Sequence, residues 1–150
     1  MTKSVQHTFY YQHPPKDVWE YLTDSELMSQ WLMPNDFEPI LGYDFQFKIP
    51  PIPKLDFDGI IYCKVLLIVP YKKLSYSWKS GPGQGKISVD SVVDWTLTPK
   101  DNGTELKLVH SGFREIEDFG MFTIVDDGWL KNIKKIDNLL NTKTDGTTNT

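Results

Sequence analysis

Cysteine is almost absent: Cys63 stands alone among 150 residues. A single thiol forms no intramolecular disulfide and builds no thiolate metal site, so a reducing compartment is expected, with the cytoplasm as the default location. Histidine is scarce too. The three present, His7, His13 and His110, show neither i, i+2 nor i, i+4 spacing, so no zinc site is expected. Long apolar runs are missing from the start of the chain, where Lys3, His7, His13 and Lys16 lie among polar neighbours. Neither a signal peptide nor a transmembrane span is expected, and integral membrane association falls with them. Basic charge is also thin: sixteen Lys and Arg stand against twenty Asp and Glu, a net charge of −4, and only Lys131, Lys134 and Lys135 cluster. That distribution leaves no electrostatic footprint for nucleic acid.

Aromatic residues are what the chain has in quantity, 13% of it, including five Trp. Bulky rings either fill a core or line a cavity. A chain of this length buries roughly 70% of its unfolded surface, so one soluble domain with a real core is expected.

Residues Ser4 to Gln12 alternate, with Val5, His7, Phe9 and Tyr11 on one face, which predicts a first strand. Pro14-Pro15 stops it and opens a helix with Asp17 at its positive end and Val18, Trp19 and Leu22 as its apolar stripe. Thr23 or Asp24 caps a second short helix, in which Leu27, Met28 and Trp31 fall at helical spacing before Pro34. From Tyr43 to Phe113 the pattern is that of strands. Phe45, Phe47 and Ile49 alternate with polar residues, and Pro50, Pro51 and Pro53 then force an irregular loop. The apolar run Ile60–Val69 predicts a central strand covered on both faces along part of its length. Leu74, Tyr76 and Trp78 point inward, as do Val89, Val93, Trp95 and Leu97 on the next strand, and Leu106, Leu108 and His110 on the last. Asp101-Asn102-Gly103 is a hairpin turn in which Asn and Gly accept positive φ. After Gly112 the period changes: Phe122, Val125, Trp129, Ile133, Ile136 and Leu140 form the stripe of one long helix. Trp129 lies near the middle of that stripe and should be largely buried. Residues 1–141 are expected to form the domain, and 142–150 a flexible tail with no apolar residue.

Strand, two short helices, a run of six antiparallel strands and a long final helix make an α+β helix-grip architecture, a curved antiparallel sheet wrapped around the C-terminal helix. The residues narrow the match: Val18-Trp19 followed by Leu22-Thr23-Asp24, Trp31, Gly59 opening a long strand, and Pro70 before Leu74-x-Tyr76-x-Trp78. Asn102-Gly103-Thr104 leading to Leu106, and Gly128-Trp129 in the last helix, complete it. Over about residues 5–140 this pattern resembles the family named after the activator of the heat-shock-protein-90 ATPase, in the START-like (SRPBCC) superfamily. The resemblance implies no shared catalytic signature. Members of the superfamily bind lipids, sterols, polyketides or hormones between sheet and helix, and a few catalyse cyclisation.

The pocket candidates are Phe45, Phe47, Tyr76, Trp78, Val93, Trp95, His110, Phe122, Val125 and Trp129, inward-facing residues suited to hold an apolar or amphipathic small molecule. No cofactor is implied. A second reading is an interaction protein with a chaperone or other protein as partner, docking through Tyr10, Tyr62, Leu66 and Ile68. A third is a cyclase or hydratase with His110 or Tyr76 as acid or base. His7 and His110 both face inward, and neither has a predicted carboxylate beside it. Ser80-Gly-Pro-Gly-Gln-Gly-Lys86 is not a phosphate loop, since Ser80 stands where a glycine is needed and Ile87 follows the lysine; it predicts a flexible hairpin connection. No Gly-x-Ser-x-Gly is present, which excludes a nucleophile elbow, and Cys63, in a strand flanked by Ile and Val, is expected to be buried.

Overall fold

The computed structural model describes residues 2–148, with side chains described to Thr142. The elements are β1 (Thr2–Tyr11), α1 (Pro15–Thr23), α2 (Ser25–Trp31), β2 (Asp44–Lys48), β3 (Ile60–Val69), β4 (Lys73–Ser80), β5 (Val89–Lys100), β6 (Gly103–Arg114) and α3 (Phe119–Thr148). The six strands form one curved antiparallel sheet in the order β1-β6-β5-β4-β3-β2, and α3 lies in its grip. Five strands, not six, follow the short helices. The proline-rich stretch supplies only a 3-10 turn (Pro53–Leu55) and an isolated bridge between Ile52 and Phe57, because proline offers no amide for a ladder. α3 continues through residues 142–148, where the tail was expected to begin, while the side chains beyond Thr142 and residues 149–150 altogether lie outside the described residues.

Local chemistry explains the short elements. Pro15 occupies the first turn of α1 with Asp17 beside it, and the Asp24 carboxylate accepts the Leu27 amide at 3.0 Å to cap α2. Asp101 and Asn102 both take positive φ, the two-residue turn that matches the twist of β5 and β6. Gly103 was expected to share that role but does not have positive φ; a Cβ there would run into the Tyr11 carbonyl and the Tyr10 ring.

The apolar run of β3 is not covered on both faces. A bulge between Val65 and Leu67 shifts the register, so Leu66 and Leu67 are both exposed and Ile68 turns back to pack partly on the core. Elsewhere the alternation holds: Leu74, Tyr76, Trp78, Val93, Trp95, Leu97, Leu106, Leu108 and His110 are all buried on the concave face. Trp129, Ile133, Ile136 and Leu140 bury the stripe of α3 against them, and Trp129 is buried as expected. Among the described residues no helix is long and apolar enough to cross a membrane.

Candidate functional site

The rings interlock rather than enclose space. Trp129 lies 5.3 Å from both Trp78 and Trp95 between ring centroids, Trp31 stands edge-on to Trp95 at 6.0 Å, and Phe45 packs on Tyr76 at 5.3 Å. Phe37, from the α2–β2 connection, completes this cluster at 4.9 Å from Phe45. Three of its indole N–H groups are tied off: Trp31 donates to the Tyr21 carbonyl, Trp95 to the Tyr76 hydroxyl and Trp129 to His110 Nδ1.

That last bond fixes the state of His110. Ser91 donates its single hydroxyl proton to the Trp78 carbonyl at 2.7 Å, so the contact between Ser91 Oγ and His110 Nε2 at 2.8 Å needs the proton on Nε2. Nδ1 then accepts from Trp129, and no ring nitrogen is left for a reacting group. Burial pushes the imidazole pKa down from 6.5 to about 3, so the ring is neutral at physiological pH. Burial likewise pushes the Tyr76 hydroxyl above its ordinary range, and the buried Cys63 thiol is raised by its burial and then by Asp36. His7, in contrast to the expectation, has a carboxylate partner. Its Nε2 donates to Asp126 at 2.7 Å, pinning β1 to α3 across 119 residues of sequence.

The space lies beside the ring cluster. A groove of about 280 Å³ runs along the N-terminal half of α3. The helix contributes Met121, Ile124, Val125, Gly128, Trp129 and Asn132, a single face at helical spacing. The end of α2 and its exit supply Leu32 and Met33, the proline-rich loop supplies Ile49, Ile52 and Phe57, and the concave face of the sheet supplies Ile61, Trp78 and Ser80. The loop is held in place by Ile49 N–H to the Gly59 carbonyl at 2.8 Å and Ile52 N–H to the Phe57 carbonyl at 2.9 Å. The turn into α3 is fastened as well. Asp118 accepts from the Arg114 backbone and guanidinium at 2.8–3.0 Å, and the same guanidinium reaches the Ser88 carbonyl. Burial alone would raise the Asp118 pKa, but the hydrogen bonds and charge of Arg114 outweigh it and hold the carboxyl low. Among the described residues no group of three or more His, Cys, Asp or Glu is placed to hold a metal.

Of the ten pocket candidates, Trp78, Val125 and Trp129 line this groove. Phe45, Phe47, Tyr76, Val93, Trp95 and His110 are buried in the core behind it, and the half-buried Phe122 packs edge-on to Phe113 at 5.6 Å. The proline-rich loop was read as irregular connection and not as a wall. Its signal was Ile49, Ile52 and Phe57, apolar side chains in a loop with no sheet face to bury them. Gly128 carried the other missed signal, a glycine inside a helical pattern. A Cβ built there meets nothing within 4 Å, so packing does not demand glycine.

Comparison with known proteins places this geometry. Residues 12–141 match the model of the family described as Activator of Hsp90 ATPase homolog 1-like protein. Protein MLL2253 from Mesorhizobium loti is 34% identical with a TM-score of 0.82, the match covering 93% of this chain and 98% of that one. The Aha1 dimer from Colwellia psychrerythraea is 16% identical with a TM-score of 0.71, covering 91% and 94% of the respective chains. CalU16 from Micromonospora echinospora is 22% identical with a TM-score of 0.70, covering 93% and 74%. At those identities the last two speak for the fold alone. No curated protein matches the chain.

Proposed function

The chain belongs to the Activator of Hsp90 ATPase homolog 1-like family, and from that premise and the groove beside α3 we propose that it binds an apolar or amphipathic small molecule without transforming it. The observation that carries this reading is the groove itself, apolar on nearly every side and about 280 Å³, close to the roughly 300 Å³ at which ligand cavities begin. Gly128 supports it further. Glycine in a helix interior costs about 1 kcal/mol relative to alanine, and no neighbour requires it here; its effect is to keep the helix side of the groove low. The binding unit is residues 1–141, with the buried rings of the core as a rigid backing for Trp78 and Trp129. The single buried Cys63 suits a reducing setting such as the cytoplasm.

The cyclase or hydratase reading loses its motive. His110 has both ring nitrogens engaged, and neither it nor Tyr76 lines the groove. A chaperone partner would rest on the family alone, since the exposed Tyr10 and Leu66 stand on β1 and β3, with β6, β5 and β4 between them. Native mass spectrometry of the protein expressed in its own source tests the proposal. Wild type should carry a retained small mass that Gly128→Leu lacks. Wild type and Gly128→Leu that are equally bare, with no apolar probe bound by either, would overturn it.

A further inference from the structure

Trp78 and Ser80 are two residues apart on β4, so they share a face, and both line the groove. They are also nearly inaccessible, at 4% and 2% exposure. Like the Trp19 indole and the Tyr21 hydroxyl, their polar side-chain groups find no hydrogen-bond partner among the described residues, and of these four only Trp78 and Ser80 line the groove. The indole N–H of Trp31, Trp95 and Trp129 each has an acceptor, whereas that of Trp78 makes no hydrogen bond among the described residues, and neither does the Ser80 hydroxyl. The Ser80 hydroxyl takes no part in the contacts with Ser88, which go to the Ser80 carbonyl. At the same time the described residues contain no fully enclosed side-chain nitrogen or oxygen without a partner. The two donors therefore open onto accessible space, and the space their residues border is the groove. At the wall of an apolar groove such a donor has only water or a ligand to complete it, so these two mark where a ligand oxygen would be met.

We infer that the groove is built for an uncharged ligand carrying one hydrogen-bond-acceptor oxygen, a ketone, ester or ether type of molecule, whose oxygen is met by the Trp78 indole N–H and the Ser80 hydroxyl. This rests on the groove-binding reading above. The rest of the wall sets the class. Apart from the Asn132 amide on α3, the remaining wall, Ile49, Ile52, Phe57, Ile61 and Ile124 among it, offers apolar contact, so most of the remainder of the ligand is hydrocarbon. No Lys, Arg or His lines the groove, and a carboxylate or phosphate would lose its hydration there with no cation to offset it. A cationic amine fares no better, because no Asp or Glu lines it either. The two neutral donors can satisfy a neutral acceptor at little desolvation cost, and in a low-dielectric groove they select for it over a hydrocarbon of the same shape.

Three naphthalenes of nearly equal size test this: 2-acetylnaphthalene, 2-ethylnaphthalene and 2-naphthoate, titrated into the full chain by calorimetry and by nitrogen-15 spectra of the five indole N–H resonances. The ketone should bind wild type roughly two- to tenfold tighter than the hydrocarbon, the range of one net hydrogen bond. Its addition should move the Trp78 indole resonance downfield where the hydrocarbon does not. Ser80→Ala, the smaller change, and Trp78→Phe, checked for native circular dichroism, should each bring the ratio toward one. Equal affinity of ketone and hydrocarbon, or an unmoved Trp78 resonance, overturns the acceptor inference and leaves groove binding standing. Tightest binding by the naphthoate overturns the uncharged class. Failure of all three to bind overturns the groove reading, and this inference with it.

Discussion

Gly128 gives the sharpest separation between what the fold needs and what the groove needs. It sits in the tenth position of α3, where regular helix is formed on both sides, and an added Cβ meets nothing within 4 Å. Gly128→Ala should therefore gain the full helix-propensity difference, about 0.8–1 kcal/mol, with no steric loss to set against it. For a domain of this size that is a rise in Tm of about 2–4 °C. Gly128→Leu should be at least as stable, because its side chain would enter an apolar groove and bury surface worth about 1–2 kcal/mol at the usual area coefficient. Binding should move the other way, falling slightly for Ala and by more than tenfold for Leu. Urea melts and a calorimetric titration of 2-acetylnaphthalene measure the two sides on the same proteins. A Gly128→Ala variant that melts below wild type would refute the steric argument. A Gly128→Leu variant that keeps wild-type affinity would place the ligand elsewhere.

Trp129→Ala should lose about 3–5 kcal/mol of a stability of roughly 5–15 kcal/mol in urea melts, since it deletes a buried ring and strands His110 Nδ1, whereas Lys131→Ala on the exposed face should change that stability by no more than about 0.5 kcal/mol. His110 makes stability depend on pH: its folded pKa is depressed to about 3 from 6.5, so the unfolded chain takes the proton first. That contribution is intact above pH 6.5 and is lost as pH falls toward 3, amounting to about 2 kcal/mol by pH 5. Urea midpoints at pH 7 and 5 should fall less for His110→Gln than for wild type, and equal slopes would contradict the assignment. Asp118→Asn should loosen the start of α3, seen as faster amide hydrogen exchange at Phe122, whose N–H donates to the Asp118 carbonyl, with exchange at Ile136 unchanged.

Alternation and helical period made most of the fold legible. Leu74, Tyr76 and Trp78 announce their face without help from any distant residue, and Trp129 falls in the middle of a stripe that only a helix can bury on one side. The β3 bulge was invisible for a physical reason: Val65 to Val69 are all apolar, so a register shift leaves no mark on the pattern. The groove was half legible. Its sheet wall follows from periodicity, and Trp78, Val125 and Trp129 were found that way. Its loop wall depends on hydrogen bonds such as Ile49 to Gly59, formed between irregular segments whose course no period describes. The partnership of His7 with Asp126 joins residues 119 apart and could be read only from the fold. Of the rings that fill a core or line a cavity in the sequence pattern, Trp78 and Trp129 reach the groove, while Phe45, Phe47, Tyr76 and Trp95 pack against one another, often edge-on.

The central claim is that a small apolar molecule occupies the groove beside α3 and nothing else in the domain. Carbon-13 methyl spectra of the isoleucines test it directly, since Ile49, Ile52, Ile61 and Ile124 line the groove while Ile133 and Ile136, in the buried stripe of α3, do not. Titration with 2-acetylnaphthalene should shift the first four and leave the last two in place. Shifts at Ile133 and Ile136 with the groove isoleucines unmoved, or no shift at any of the six, would contradict the account.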